Sequence, residues 1–292
     1  MTQARGLERG MGWLPDWPDI RDYTPEHELV APLLAQARIK APRKKLPGKA
    51  DLRAWCPPVE DQGQLGSCTA NAGVALVEYF ERRASGKHVD ASRLFLYKAT
   101  RNLLKLKGDT GAYLRTTMGA LVLFGVPPEK FWPYSEKGFD KEPPAFCYAF
   151  AANYNAISYF SLDPPGTTPA ALIERVKTYL AAGVPSMFGF TVYSSIEQAG
   201  DDGAIPLPGP KEQVSGGHAI VAVGYDDAKK IRNRGGGAKE TVGAFLIRNS
   251  WGEGWGEKGY GWLPYEYAGA GLAEDWWTLI KAGWVDSGEF GF

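Results

Sequence analysis

The sequence predicts an α+β protein of two lobes, a mainly helical one followed by a β-rich one, with a cleft between them. Two textures carry this reading. Up to about residue 124, apolar residues recur at helical spacing in runs that stop on glycine. From about residue 155 the apolar runs become short and alternating or continuous, as strands do. Size is the third observation: 292 residues, 44% of them hydrophobic, suit one large domain or two modest ones with a sizeable core. The expected organisation is an N-terminal arm over residues 1–47, a helical lobe over 48–154 and a β-rich lobe over 155–292.

The arm is rich in Trp, Pro and Asp through Gly10-Met11-Gly12-Trp13-Leu14-Pro15-Asp16-Trp17-Pro18 and on to Tyr23, which reads as extended chain with turns. Residues 25–39 predict a short amphipathic helix with Leu29, Leu33, Leu34 and Ala37 on one side, and residues 40–49 a basic, protease-accessible linker. The body begins at Asp51. Helices are expected over 68–85, 92–106 and 116–124, closed by Gly86, Gly108 and Gly125, with an aromatic turn at Phe131-Trp132-Pro133-Tyr134. In the second half, 155–162 reads as a strand and 168–182 as a helix stopped by Gly183. Strands follow at 186–192, 219–225, 244–249 and 259–264, and 226–243 reads as a flexible surface loop.

Composition narrows the function classes. Lys+Arg and Asp+Glu each number 33, so nothing in the charge points to nucleic acid or an anionic membrane as partner. No run approaches the ~18 apolar residues of a membrane span. Residues 1–22 hold arginines but no apolar stretch of a secretory signal, so the expectation is the cytosol or export by another route. Three cysteines allow at most one bridge, Cys56 with Cys147, and unpaired thiols are expected. The scattered histidines and cysteines show no zinc spacing, and no Gly-Lys-Ser/Thr follows the glycines before Cys68, so neither a metal nor any other cofactor is expected.

The chemistry gathers on four stretches. Cys68 follows Gln62-Gly63-Gln64-Leu65-Gly66-Ser67 and opens a helix, where the dipole favours the thiolate. A lone cysteine under a helix is ordinarily a small buried hydrophobe; the other stretches change that reading. A cysteine nucleophile needs a base, and of the three histidines only His218, between Gly216-Gly217 and an apolar strand, is well framed. Asn249 comes off another apolar strand and is placed to orient that imidazole, with Trp251 excluding water from the bond. The Gln62 amide, with the Cys68 backbone N–H, suits an oxyanion.

Over residues 50–265 the chain resembles the papain-like cysteine peptidases. The resemblance is carried by the Gln62–Cys68 stretch, by Gly217-His218-Ala219 through Gly224-Tyr225, by Asn249-Ser250-Trp251-Gly252-Glu253-Gly254-Trp255-Gly256, and by Pro133-Tyr134. It implies the papain-like two-lobe fold and a peptide or protein substrate. In it Cys68 is the nucleophile, His218 its ion-pair partner and then the acid to the leaving amine, Asn249 the orienting group and Gln62 the oxyanion donor. It also implies that Gly111 pairs with the substrate backbone as an added strand, with Ala112 where many members have a second glycine. Gly217 and Ala219 would line the pocket for the side chain two residues before the cut, favouring apolar ones, and Trp251 would shield the histidine. The chain departs from the family's pattern at Leu65, where a cysteine is usual, at Thr69, where a tryptophan is usual, and in a longer loop between His218 and Asn249.

The same constellation would serve a peptide ligase, an amidase or a deconjugating enzyme, which share the acyl-enzyme. A binding module keeping the fold without the chemistry is the remaining alternative, and the intact Cys68, His218, Asn249 and Gln62 speak against it. The arm is expected to fold back as an intramolecular inhibitor, with the Trp13–Tyr23 region as its plug.

Overall fold

The computed structural model describes residues 9–39, 46–152, 158–235 and 240–291. Its helical part holds α1 (Ala31–Gln36), α2 (Cys68–Ser85), α3 (Arg93–Leu103), α4 (Leu114–Phe124) and α5 (Ala145–Ala151). Strand β1 (Lys49–Asp51) falls among them, and β2 (Ser158–Ser161) and α6 (Pro169–Ala181) follow. The rest comprises β3 (Ser186–Tyr193), β4 (Val214–Arg232), β5 (Glu240–Arg248), β6 (Tyr260–Pro264), α7 (Tyr265–Gly269), β7 (Ala273–Ile280) and α8 (Ala282–Val285). This is the α+β architecture that the sequence predicts.

Local chemistry sets several boundaries. Ser92 caps α3 by accepting from the Phe95 N–H at 3.2 Å, and Thr168 caps α6 through the Ala171 N–H. Gly86 ends α2 with φ +71°, a conformation in which a Cβ is strained.

Among the described residues seven strands make one antiparallel sheet in the order β2-β7-β3-β4-β5-β6, with β1 on β4 as well. β1, on the helical side of the expected division, thus joins the sheet: Ala50 pairs with Tyr225. β4 carries both the site and the fold, because its first half pairs with β3 (Phe190 with His218) and its second with β5 (Tyr225 with Phe245).

Some expectations need correction. Residues 226–232 and 240–243 are not a loop but the outer part of a β4–β5 ribbon, with Lys230 opposite Val242 and Arg232 opposite Glu240. Its charged residues face solvent, so no apolar period marks it. Gly236 and Gly237 of that stretch, the basic linker over 40–45 and the strand start at 155–157 lie outside the described residues. The helix expected over 25–39 is six residues long, preceded by turns in which His27 N–H bonds Thr24 O. Leu29 faces solvent, and Val30 with Leu34 and Ala37 is buried instead. α5, α7, β7 and α8 were not expected.

The arm is built into the molecule. Val30, Leu34, Ala37 and Ile39 enter the same core as Phe80, Trp284 and Phe290, where Phe80 stacks on Trp284 at 4.8 Å. Ahead of that segment the chain runs between the helical side and β4. Trp13 N–H donates to Gly217 O (3.1 Å), Ala112 N–H to Gly12 O (2.8 Å) and Leu14 N–H to Ala112 O (3.1 Å).

Candidate active site

Cys68 is the first residue of α2 and fully buried. Gly66 brings the arm close: a Cβ on Gly12 would stand 1.9 Å from Gly66 O, and one on Gly111 2.2 Å from Gly12 O. Only glycine lets these backbones cross. The thiol lies among the backbone N–H groups of Ala219, Gly12, Thr69 and its own residue, which favour the thiolate, but burial outweighs them and pushes it up to about 11.

His218 and Asn249 meet as expected: His218 Nε2 donates to Asn249 Oδ1 at 2.8 Å. The same oxygen accepts from the Ser250 N–H at 2.8 Å, which fixes which end of the amide faces the ring. His218 Nδ1 is buried and takes no hydrogen bond. Trp251 stacks on the imidazole at 4.6 Å and 22° and is itself met edge-on by Trp255. Burial pushes the imidazole down to about 4, the Asn249 bond working against it. Desolvation under the arm works against both members of the expected ion pair, the thiolate and the imidazolium.

Gln62 is fully buried. Its Nε2 donates to Leu65 O (2.7 Å) and Gly10 O (3.0 Å), and its Oε1 accepts from Ser250 Oγ (2.5 Å). Its own carbonyl accepts from Tyr134 OH at 2.8 Å, and the Arg93 guanidinium lies 4.2 Å over that ring while pairing with Glu60 and Glu129. The aromatic turn thus props the stretch that carries Gln62.

The structure brings the remaining expected residues to one trough. Ala112 pairs with the arm through both its N–H and its C=O; Gly111 does not, its N–H going to Tyr97 OH at 3.1 Å. Gly217 supplies the carbonyl opposite, and Ala219 borders the thiol. Trp13 fills the space between, 5% exposed. A Cβ at Gly189 would fall 1.9 Å from its ring and one at Gly217 3.0 Å. At the floor, Asp275 Oδ2 accepts from Trp13 Nε1 at 3.1 Å and Oδ1 from Trp277 Nε1 at 2.5 Å. Burial raises Asp275 to about 7. Beyond Trp13, Arg115 of α4 bonds Asp16 (2.5 Å), Asp22 (2.7 Å) and Trp17 O (2.7 Å).

Sequence reasoning missed Asp275, Arg115 and Ser250. Ser250 stood inside the quoted Asn-Ser-Trp motif and was readable there. The other two carry no local signal, since their roles depend on where the arm lies. Among the described residues no group of three or more His, Cys, Asp or Glu side chains could hold a metal ion, and no helix is long and apolar enough to cross a membrane. All three cysteines are buried and free.

Comparison with known proteins gives the same picture. The model of the papain family cysteine proteases matches residues 46–276. The chain is 32% identical over 286 residues to an uncharacterized peptidase C1-like protein of Acanthamoeba polyphaga mimivirus, covering 94% of this chain and 87% of that one. With cathepsin K of Gallus gallus it shares 30% over 223 residues, 74% of this chain and 58% of that relative's length. Among solved structures it is similar to xylellain, a cysteine protease from Xylella fastidiosa, with a TM-score of 0.74 and 34% identity over 96% of this chain and 99% of that one.

Proposed function

The chain belongs to the papain family and is a cysteine peptidase, and from that premise we propose that it is an endopeptidase acting through a Cys68–His218–Asn249 triad and made as a latent form. One observation carries the triad. His218 commits Nε2 to Asn249 and keeps Nδ1 free, while the neighbouring Ala219 N–H borders the Cys68 thiol. Nδ1 takes the thiol proton and Sγ attacks the scissile carbonyl carbon. Gln62 Nε2 and the Cys68 N–H hold the oxyanion. The C–N bond breaks as His218 returns its proton to the leaving amine. Water, deprotonated by the same nitrogen, then hydrolyses the thioester.

Latency follows from what covers these groups. Gly10 O occupies the Gln62 donor, Gly12 N–H meets the sulfur, and Trp13 fills the trough. The direction of the arm works against its being cut at this site. In a substrate, residues before the cut lie along Ala112 and Gly217, N-terminal to the carbonyl at Gln62. In the arm, the residues along Ala112 and Gly217 are 12–14, C-terminal to Gly10. The arm runs backwards through the site. Two parts are distinguished, a plug over residues 9–22 and an anchor over 23–39, whose Val30, Leu34, Ala37 and Ile39 belong to the core.

The test is cleavage of fluorogenic peptides by the full chain and by chains lacking the plug, with Cys68→Ala as control. Turnover that disappears in Cys68→Ala and rises without the plug supports both parts. Turnover that survives Cys68→Ala overturns the nucleophile, and equal turnover with and without the plug overturns the latency.

A further inference from the structure

We infer that Asp109 and Tyr97 are positioning residues for the reaction, tying the wall that receives the substrate backbone to the stretch ahead of Cys68. The inference rests on the peptidase reading above and adds what sets the width of the cleft. Asp109 lies in the exposed turn after Gly108, yet its carboxylate turns inward on two partners. Oδ1 accepts from Tyr97 OH at 2.5 Å and from Gly66 N–H at 3.0 Å, and Oδ2 stands 3.1 Å from the same nitrogen. Tyr97, on α3 and fully buried, accepts from Gly111 N–H at 3.1 Å through that hydroxyl. One carboxylate and one phenol thus join Gly66, two residues before the nucleophile, to Gly111, the neighbour of Ala112. The two backbones touch there, since a Cβ on Gly66 would stand 3.4 Å from Gly111 N.

The pair decides which groups of the wall face the cleft. With its N–H held by Tyr97, Gly111 has none to offer a substrate, and Ala112 presents both N–H and C=O, as it does to Gly12 and Leu14 of the arm. An added strand pairs only where that edge stands at one strand spacing from the guest, and the guest's scissile carbonyl must at the same time reach Cys68. Tyr97 is itself fixed: the Arg101 guanidinium lies 4.2 Å over its ring and donates to Phe139 O at 2.7 Å. Burial and the Asp109 carboxylate push the phenol up, so its proton stays available to Oδ1. Cys68 is held independently by α2, where Ser67 O accepts from Asn71 N–H at 3.0 Å. Loss of the carboxylate leaves the phenol and the Gly66 N–H without their acceptor. The nucleophile then stays in place and the wall shifts.

The test uses the full chain and two substrates, an acylated tetrapeptide amide long enough to lie along Ala112 and a single-residue ester that reaches only Cys68. The readout is the ratio of their kcat/KM values, which cancels whatever fraction of molecules the arm covers. Asp109→Ala should lower that ratio about tenfold or more, the loss falling on the tetrapeptide while the ester stays within about twofold. A general loosening of the fold would lower both alike. Asp109→Asn keeps an Oδ1 acceptor and should recover most of the ratio. Tyr97→Phe should lower it as well, and in the Asp109→Ala background should add less than about twofold, the sign of one shared path. An unchanged ratio, an equal loss on both substrates, or full additivity in the double variant overturns the inference. Should Asp109→Ala not fold, Tyr97→Phe, which removes only the hydroxyl, decides by the same ratio. A wild-type chain that cuts neither substrate counts against the peptidase reading alone, and amide exchange then tests the pair. The Gly111 N–H should exchange at least about tenfold faster in Asp109→Ala and in Tyr97→Phe than in the wild type. Equal exchange overturns the inference.

Discussion

Trp13 and Asp275, 262 residues apart, meet in one partly buried contact: the indole Nε1 donates to Asp275 Oδ2 at 3.1 Å. The ring lies where a Cβ at position 189 would stand 1.9 Å from it. The arm thus presents to the trough a large apolar body with a donor at its tip, and the trough answers with glycine walls and a carboxylate floor. Removing the indole deletes the plug's largest buried side chain and its bond to Asp275. Truncation of a buried Trp costs about 3–5 kcal/mol, so Trp13→Ala should raise the turnover of a small peptide by the full chain about tenfold or more. Equal turnover by the two chains would show that Trp13 does not govern access.

Arg115 grips the same segment further along. It joins two arm carboxylates and one arm carbonyl, with both ion pairs largely shielded from water. Arg115→Gln keeps a donor but loses the charge. Its turnover should exceed that of the wild type several-fold at low salt. Wild-type turnover should climb toward that of the variant as salt screens the pairs. A salt response of equal size in both chains would rule Arg115 out as the clamp.

The two parts of the arm should respond oppositely to deletion. Removing residues 1–22 takes away the plug and leaves Val30, Leu34, Ala37 and Ile39 in the core with Trp284 and Phe290. That chain should fold and gain activity. Removing residues 1–39 strips four buried apolar side chains, of which Val30, Leu34 and Ile39 are each worth about 1.5–3 kcal/mol, a large share of the whole stability of a domain. Its melting temperature should drop steeply, or the chain should not accumulate. Two truncated chains of equal stability would remove the distinction.

The site was more legible than the fold around it, for physical reasons. Cys68, His218, Asn249 and Gln62 each sit in a local pattern that their chemistry demands, and the structure sets Gln62 and Asn249 in one network about His218. α2 was legible because its apolar residues repeat every turn until Gly86. β7 was not. It lies between β2 and β3 with Trp276 and Trp277 both buried, so neither alternation nor a continuous aliphatic run marks it, and Asp275 within it has φ +64°. The charged ribbon over 226–232 and 240–243 misled because periodicity reports burial, and both its faces are largely wet. The thiolate expected at the helix start was read from the dipole alone. Whether the sulfur is dry depends on an arm more than fifty positions away, which no local pattern encodes.

That desolvation gives a reactivity difference. Iodoacetamide attacks the thiolate, and with Cys68 raised to about 11 the covered thiol is protonated at neutral pH. In the full chain its labelling rate should climb about tenfold per pH unit through pH 7–10. With the plug gone, water returns, the thiol moves down and the imidazole up from about 4, and labelling should be fast already at pH 5–6. The proton only moves from sulfur to nitrogen, so the pair binds one proton in either state. Plug docking should therefore be insensitive to pH through this pair. Identical labelling profiles with and without residues 1–22 would show that the arm does not set the charge state of the site.

Asp275 should also decide which substrates enter. Gly217, taken alone, favours apolar side chains in this trough. The carboxylate at its floor requires a donor, because its Oδ1 is taken by Trp277 and its Oδ2 by Trp13, and a purely aliphatic guest in place of Trp13 would leave Oδ2 unpaired. Leaving a buried charged acceptor without a partner costs about 1–3 kcal/mol or more, which is roughly tenfold to a hundredfold in kcat/KM. Among peptides differing only two residues before the cut, those with Trp, Lys or Arg should therefore outrun Leu by about tenfold in the open enzyme at neutral pH. Burial under Trp13 raises Asp275 to about 7, and water entering the emptied trough should move it down again, keeping the carboxylate ionised. Acid below the pKa of the open state should erase the preference by protonating the acceptor. Asp275→Leu should invert the order at neutral pH, with Leu peptides gaining as the basic ones lose. A wild-type enzyme that already prefers Leu, and an Asp275→Leu variant with the same ranking, would show that the floor of the trough does not read the side chain.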